Sequence, residues 1–148
     1  MSSKVTELEA AKTLNTAPPR GTLFVVSSPS GGGKGTIIEH VLECVKNLSY
    51  SVSYTTRAPR LKEVDGREYF FISRETFEDM VAAGEFLEWA CVHGNLYGTA
   101  KNQILAETAA GSDIILELDV QGAASVRRLL MDSVSIFILP PSYEVLRE

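Results

Sequence analysis

Residues 22–36 read TLFVVSSPSGGGKGT, and their order decides the fold. Thr22–Ser27 is a short, β-branched apolar run, the composition of a strand buried on both faces of a parallel sheet. A turn-rich stretch follows, Ser28-Pro29-Ser30-Gly31-Gly32-Gly33-Lys34-Gly35-Thr36. Beyond it Ile37, Ile38, Val41, Leu42 and Val45 recur at helical spacing and predict one buried face. Strand, glycine loop and helix in that order predict a phosphate loop, because all three parts act on one anion. Glycines let successive backbone N–H groups turn inward without Cβ clashes. The helix directs its positive dipole end at the same point. Lys34 adds a mobile cation for the outer phosphates of a nucleoside triphosphate. Ser30, Gly31, Gly32, Gly33, Lys34, Gly35 and Thr36 are therefore the candidate phosphate-binding residues. Two positions depart from G-x-x-x-x-G-K-[ST]. Ser28 replaces the first glycine, and Gly35 stands where a magnesium-ligating hydroxyl belongs, which leaves that place to Thr36 or to water. The loop is not G-x-G-x-x-G, so a dinucleotide-dependent dehydrogenase is not expected.

Outward from this loop the chain alternates β and α. Residues 1–20 are polar and Ala-rich, close on Ala17-Pro18-Pro19, and predict a flexible tail with at most a short helix at Thr6–Leu14. Residues 21–148 predict a single α/β domain, with a core at 21–49 and 100–148 and a smaller mixed α+β subdomain inserted at about 50–99. In the insertion, SVSYTT (residues 51–56) and Glu68–Ile72 read as strands, with a charged loop and turn at Arg57–Gly66 between them. Glu75–Ala83 reads as a helix ended by Gly84. The frame resumes with a helix at Lys101–Ala110 ended by Gly111, a strand at Ile114–Leu118, a helix at Gly122–Leu130 and a buried strand at Val134–Leu139. Pro141 and Ser142 open a last helix. Apolar strands alternating with helices predict a parallel sheet covered on both faces, a three-layer architecture.

Composition narrows the function classes. A chain of 148 residues with 45% hydrophobic and 22% charged residues is globular rather than disordered. Fourteen Lys and Arg against 19 Asp and Glu give a net charge of −5, a poor balance for a nucleic-acid ligand. Cys44 and Cys91 show no metal or disulfide spacing. No apolar run is long enough to span a bilayer, and the N-terminus has no signal-peptide core, so neither nucleic acid nor membrane is an expected partner and the cytoplasm is the expected compartment. A homodimer is compatible with this reading. His40 and His93 read as structural or surface residues, and Trp89 and the Phe70-Phe71 pair as core.

A phosphate loop alone implies a nucleotide, not a reaction. The second informative stretch is Ser53-Tyr54-Thr55-Thr56-Arg57-Ala58-Pro59-Arg60. Two arginines at i and i+3 flank a proline that stiffens the loop, and a guanidinium fork on a rigid loop binds phosphate bidentately with little entropy lost. SVSYTTRAPR, EVDGREYFF, GEFLEWA, GNLYGT and LDVQGA then follow in the order and spacing of guanylate kinases, and from about Gly21 to Glu148 the chain resembles that family.

The resemblance implies an ATP-dependent phosphoryl transfer to GMP or dGMP, giving GDP or dGDP and ADP, with Mg2+ bridging the ATP phosphates. It implies that Ser53, Arg57, Arg60, Tyr69 and Tyr97 hold the GMP phosphate. It gives Glu88 and Thr99 the guanine base, and places Asp119 beside nucleotide and metal. Lys34, Arg57 and Asp119 are then the expected catalytic residues, with Thr36 and Asp119 as indirect metal partners. The chemistry agrees: guanine presents N1–H and N2–H₂ as adjacent donors to one carboxylate, a pair that adenine lacks. Glu117 stands where the family pattern has Asp, which alters fine metal geometry.

The resemblance also implies an arginine-bearing lid beyond Glu148, so this chain is expected to bind GMP and to transfer phosphate poorly by itself. Two rival readings are weighed against this one. A binding module that uses the GMP pocket for phosphorylated peptides would not need GGGK. Another nucleoside monophosphate kinase is disfavoured by Glu88 and SVSYTTRAPR.

Overall fold

Alternation along β1 (Leu23–Ser27) sends Leu23 and Val25 to one face and Phe24 and Val26 to the other, so both faces of this strand are apolar. In the computed structural model, which describes residues 20–29 and 33–142, it lies inside a four-stranded parallel sheet. The order is β2 (Leu48–Tyr50), β7 (Asp113–Glu117), β1, β8 (Val134–Phe137). The predicted tail, the short helix at Thr6–Leu14 and the helix after Ser142 lie outside the described residues.

On one face α3 (Lys101–Ala109) and α4 (Val120–Leu129) cover the sheet, and Ile104 and Val126 pack with Val25, Ile114 and Leu116. On the other face lies α1 (Lys34–Cys44), with Ile38 packed against Val26 and Ile115. A helix is ~10 Å wide and strands are ~4.8 Å apart, so one helix covers about two strands. Two corrections follow from this. The α1 face is not fully covered among the described residues: Ile37, Val45 and Ile136 are 42–47% exposed around an apolar groove of about 340 Å³. The strand expected to be buried at Val134–Leu139 is instead an exposed edge, because β1 is its one strand partner among the described residues.

The inserted region forms a second sheet, ordered β4 (Phe70–Phe71), β3 (Tyr54–Thr55), β6 (Asn95–Ala100), β5 (Phe86–Val92). Packed on it is α2 (Arg74–Ala82), whose Ser73 cap accepts from the Thr76 N–H. Gly84 ends the segment at φ 68°, as the sequence predicts. Gly98 of β6 cannot be exchanged freely: a Cβ there would lie 2.8–2.9 Å from Phe86 and Phe77, whose rings stack at 4.4 Å.

The β5–β6 hairpin is not among the sequence expectations. His93 and Gly94 both take positive φ, 49° and 82°, the primed two-residue turn that suits strand twist. A histidine in its first place disguises the usual Asn-Gly or Asp-Gly signal. Trp89, expected in the core, is 49% exposed, because it points from β5 to the side away from the cleft and covers only the edge of Phe77. Among the described residues, no helix is long and apolar enough to cross a membrane.

Candidate active site

The carboxyl ends of β1, β2 and β7 open toward the second sheet, and the functional side chains gather there, as expected for ligands of a parallel sheet. Gly33 caps α1 at φ 69°, a left-handed conformation that favours glycine, and Lys34 is the first helical residue. Lys34 Nζ donates to the Leu118 carbonyl at 3.2 Å and lies 3.5 Å from Glu117 Oε1. Glu117 in turn accepts from the Tyr50 hydroxyl at 3.1 Å, and burial together with this carboxylate raises the phenol above its ordinary range. Lys34 is thus poised at the strand ends with a carboxylate partner. Gly35 and Thr36 are exposed at the helix start, and Ser30, Gly31 and Gly32 lie outside the described residues.

A cleft of about 410 Å³ brings Lys34, Ser53, Tyr69, Glu88, Tyr97 and Asp119 to one place. Tyr50 and Glu117 also line it. Its Glu88 end is built by a bulge: Phe86 pairs with Ala100 but Glu88 with Thr99, so Leu87 is the extra residue. The slip sets Glu88 directly across from Thr99, whose buried hydroxyl donates to Glu88 Oε1 at 2.7 Å. Thr99 therefore orients the carboxylate rather than lining the cleft. Burial raises the Glu88 carboxyl, Thr99 opposes that shift, and Asp119 adds to it.

Asp119 caps α4 by accepting from the Gly122 N–H at 2.7 Å. A Cβ on Gly122 would stand 3.1 Å from both Asp119 Oδ1 and Glu88 Oε2. Alanine normally favours a helix over glycine by ~0.5–1 kcal/mol. Here that gain is offset, since the added methyl presses on the Asp119 cap as well as on Glu88, so Gly122→Ala is expected to bring no rise in melting temperature and to lower severalfold the affinity for a ligand held by these carboxylates. Thermal melting with calorimetry checks this, and unchanged affinity would remove Gly122 from the site.

Arg57 does not itself line the cleft; its guanidinium lies 5.5 Å over the ring of Tyr69, which does, and 5.8 Å over Phe71. Tyr69 meets Tyr97 edge to face at 5.8 Å. Arg60 is exposed and its side chain does not line the cleft. The residues that sequence reasoning missed are Tyr50, Gly122 and Glu63. Tyr50 had no usable signal, because the three-residue strand that it ends is not among the sequence expectations.

Among the described residues, no group of three His, Cys, Asp or Glu side chains could hold a metal. Glu117 and Asp119 line the cleft with Lys34 and are oxygen donors of the kind that suit a magnesium ion bound mostly by phosphates and water, while Thr36 is exposed at the start of α1.

Residues 20–148 match the family model described as guanylate kinase. The chain belongs to the guanylate kinase family. A guanylate kinase of Koribacter versatilis is 53% identical over 122 residues, 82% of this chain and 52% of that relative. One from Carboxydothermus hydrogenoformans is 50% identical over 129 residues, 87% of this chain and 63% of the relative. The chain thus spans between about half and five-eighths of these guanylate kinases' length. The crystal structure of guanylate kinase from Anaplasma phagocytophilum superposes with a TM-score of 0.74 at 38% identity, covering 87% of this chain and 65% of that one. The α/β architecture expected from the sequence is that of this guanylate kinase neighbour.

Proposed function

We propose that this chain carries the donor- and acceptor-binding groups of an ATP-dependent kinase acting on GMP or dGMP. The observation that carries this reading is the Glu88–Thr99 pair, a half-buried carboxylate held by a buried hydroxyl in the same cleft that Lys34 lines. One end suits the two adjacent donors of guanine, and the other suits phosphate.

In this reading Gly33, Lys34, Gly35 and Thr36, with Ser30, Gly31 and Gly32, bind the ATP phosphates. Ser53, Arg57, Arg60, Tyr69 and Tyr97 hold the acceptor phosphate. Glu88, oriented by Thr99, accepts from the base, and Asp119 stands between base and metal. Transfer needs no covalent intermediate, so positioning and electrostatics carry it. Lys34 and Arg57 neutralise charge on the transferring group, and approach of the two sheets excludes water from the cleft. Magnesium, when bound with ATP, would draw charge from the phosphates, with Thr36 and Asp119 reaching it through water. The free cysteines Cys44 and Cys91, both exposed, suit a reducing compartment such as the cytoplasm.

Binding of GMP, dGMP, AMP, CMP and UMP by calorimetry, beside coupled ADP production, tests the reading. Glu88→Gln is expected to cut the preference for GMP over AMP by at least about tenfold, ~1.4 kcal/mol, because an amide cannot accept from both guanine donors. The raised Glu88 carboxyl adds a pH signature. The ionised form binds the base, so guanosine affinity should fall as pH drops, starting above the ordinary carboxylate range. Guanosine is the right probe because it has no phosphate to titrate, and Glu88→Gln should flatten the profile. An unchanged base preference in that variant would sink the proposal.

A further inference from the structure

Arg57 is already anchored before any ligand arrives. Its Nη1 donates to Glu63 Oε2 at 2.9 Å and to the Ala58 carbonyl at 2.8 Å, and its Nη2 donates to Glu63 Oε1 at 2.8 Å. Both charged side chains are largely withdrawn from water, at 15% and 17% exposure. Glu63 also accepts from the Arg60 backbone N–H at 2.7 Å, closing the turn that carries both arginines. Tyr69 and Phe71 sit under the guanidinium. Three of its N–H groups are thus taken by fixed protein acceptors, and an arginine has five.

We infer that Glu63 is the positioning residue of the acceptor-phosphate site, fixing the guanidinium of Arg57 so that its remaining donors meet the phosphate without reordering. This rests on the reading of Arg57 as a phosphate ligand. An arginine side chain is long and rotamer-rich, and immobilising it at the moment of binding costs affinity. Here the carboxylate fork has immobilised it beforehand. Arg57 holds the Glu63 carboxyl down to about 2, so the clamp persists throughout the working pH range. The carboxylate also neutralises Arg57 in the empty site, where its charge would otherwise attract any passing anion. Glu63 reaches this place through one loop: it lies six residues after Arg57 and three after Arg60, on the turn that Pro59 stiffens.

The test is a double-mutant cycle read with two ligands. GMP and guanosine affinities are measured by calorimetry for the wild-type chain, Glu63→Gln, Glu63→Ala, Arg57→Ala and the Arg57→Ala/Glu63→Ala double variant. Glu63→Ala is expected to weaken GMP about tenfold and leave guanosine unchanged, with Glu63→Gln, which keeps one acceptor, falling between. In the Arg57→Ala background the same change should cost GMP nothing or restore part of its affinity, because the carboxylate left there has lost its counter-charge. Equal losses for GMP and guanosine in Glu63→Ala would mean that Glu63 merely maintains the loop, and the inference would fall. An undiminished GMP loss in the Arg57→Ala background would overturn it too. Wild-type GMP affinity in Arg57→Ala alone would be a different failure, since it would overturn the phosphate-site reading itself.

Discussion

Lys34→Ala should slow phosphoryl transfer by about 10²–10³, or ~2–4 kcal/mol at the transition state, and leave GMP binding largely intact. The ammonium sits at the start of α1, where backbone N–H groups and the helix dipole already favour an anion. It is held there by the Leu118 carbonyl and by Glu117, so it is placed before ATP arrives and need not be ordered during transfer. Removal leaves Glu117 on Tyr50 with no cation beside it, so local charge turns more negative where phosphates must come. Both terms work against ATP, and neither touches the Glu88 end of the cleft. Coupled ADP production in a chain carried on to the length of its relatives, beside ATP and GMP affinities of the 148-residue chain, checks this. A transfer rate equal to wild type would break the phosphate-loop assignment.

Arg57→Ala should weaken GMP by ~1.5–3 kcal/mol, the cost of charge-assisted hydrogen bonds, and leave guanosine unaffected. The loss should lie toward the upper end, because Glu63 keeps its carboxylate beside the phosphate and loses its counter-charge. Arg60→Ala should act in the same direction with a smaller effect, since the exposed Arg60 side chain loses more to water. Calorimetry with GMP and guanosine separates phosphate from base. Equal losses for the two ligands would assign these arginines to folding.

The elements legible in the sequence were those built from long, periodic stretches. β1, α2, α3 and β7 lie within a residue or two of their expected bounds, because an apolar run or a helical stripe needs no distant partner to be recognised. The hairpin was not legible, since its turn is His93-Gly94 and its bulge at Leu87 breaks simple alternation. β2 was missed because Leu48–Tyr50 is only three residues long, and β3 is shorter than SVSYTT suggests. Within the site, the glycine loop pointed to Lys34 and the stiffened arginine pair to Arg57, whereas Glu88 was legible only through the family resemblance. No local pattern could single out Glu63, one of several charges between Arg57 and Glu68, because its meaning lies in one pairing across the loop.

The pairing of β1 has a consequence for how the chain is made. Leu23 pairs with Ile114 and Phe24 with Val134, so a nascent chain holds this apolar strand without its neighbours until Asp113–Glu117, and then Val134–Phe137, have left the ribosome. β5 and β6 are joined by two residues and can zip together as soon as they emerge. The β5–β6 hairpin, translated later, can therefore pair while the loop after β1, translated first, still hangs from an unpaired strand.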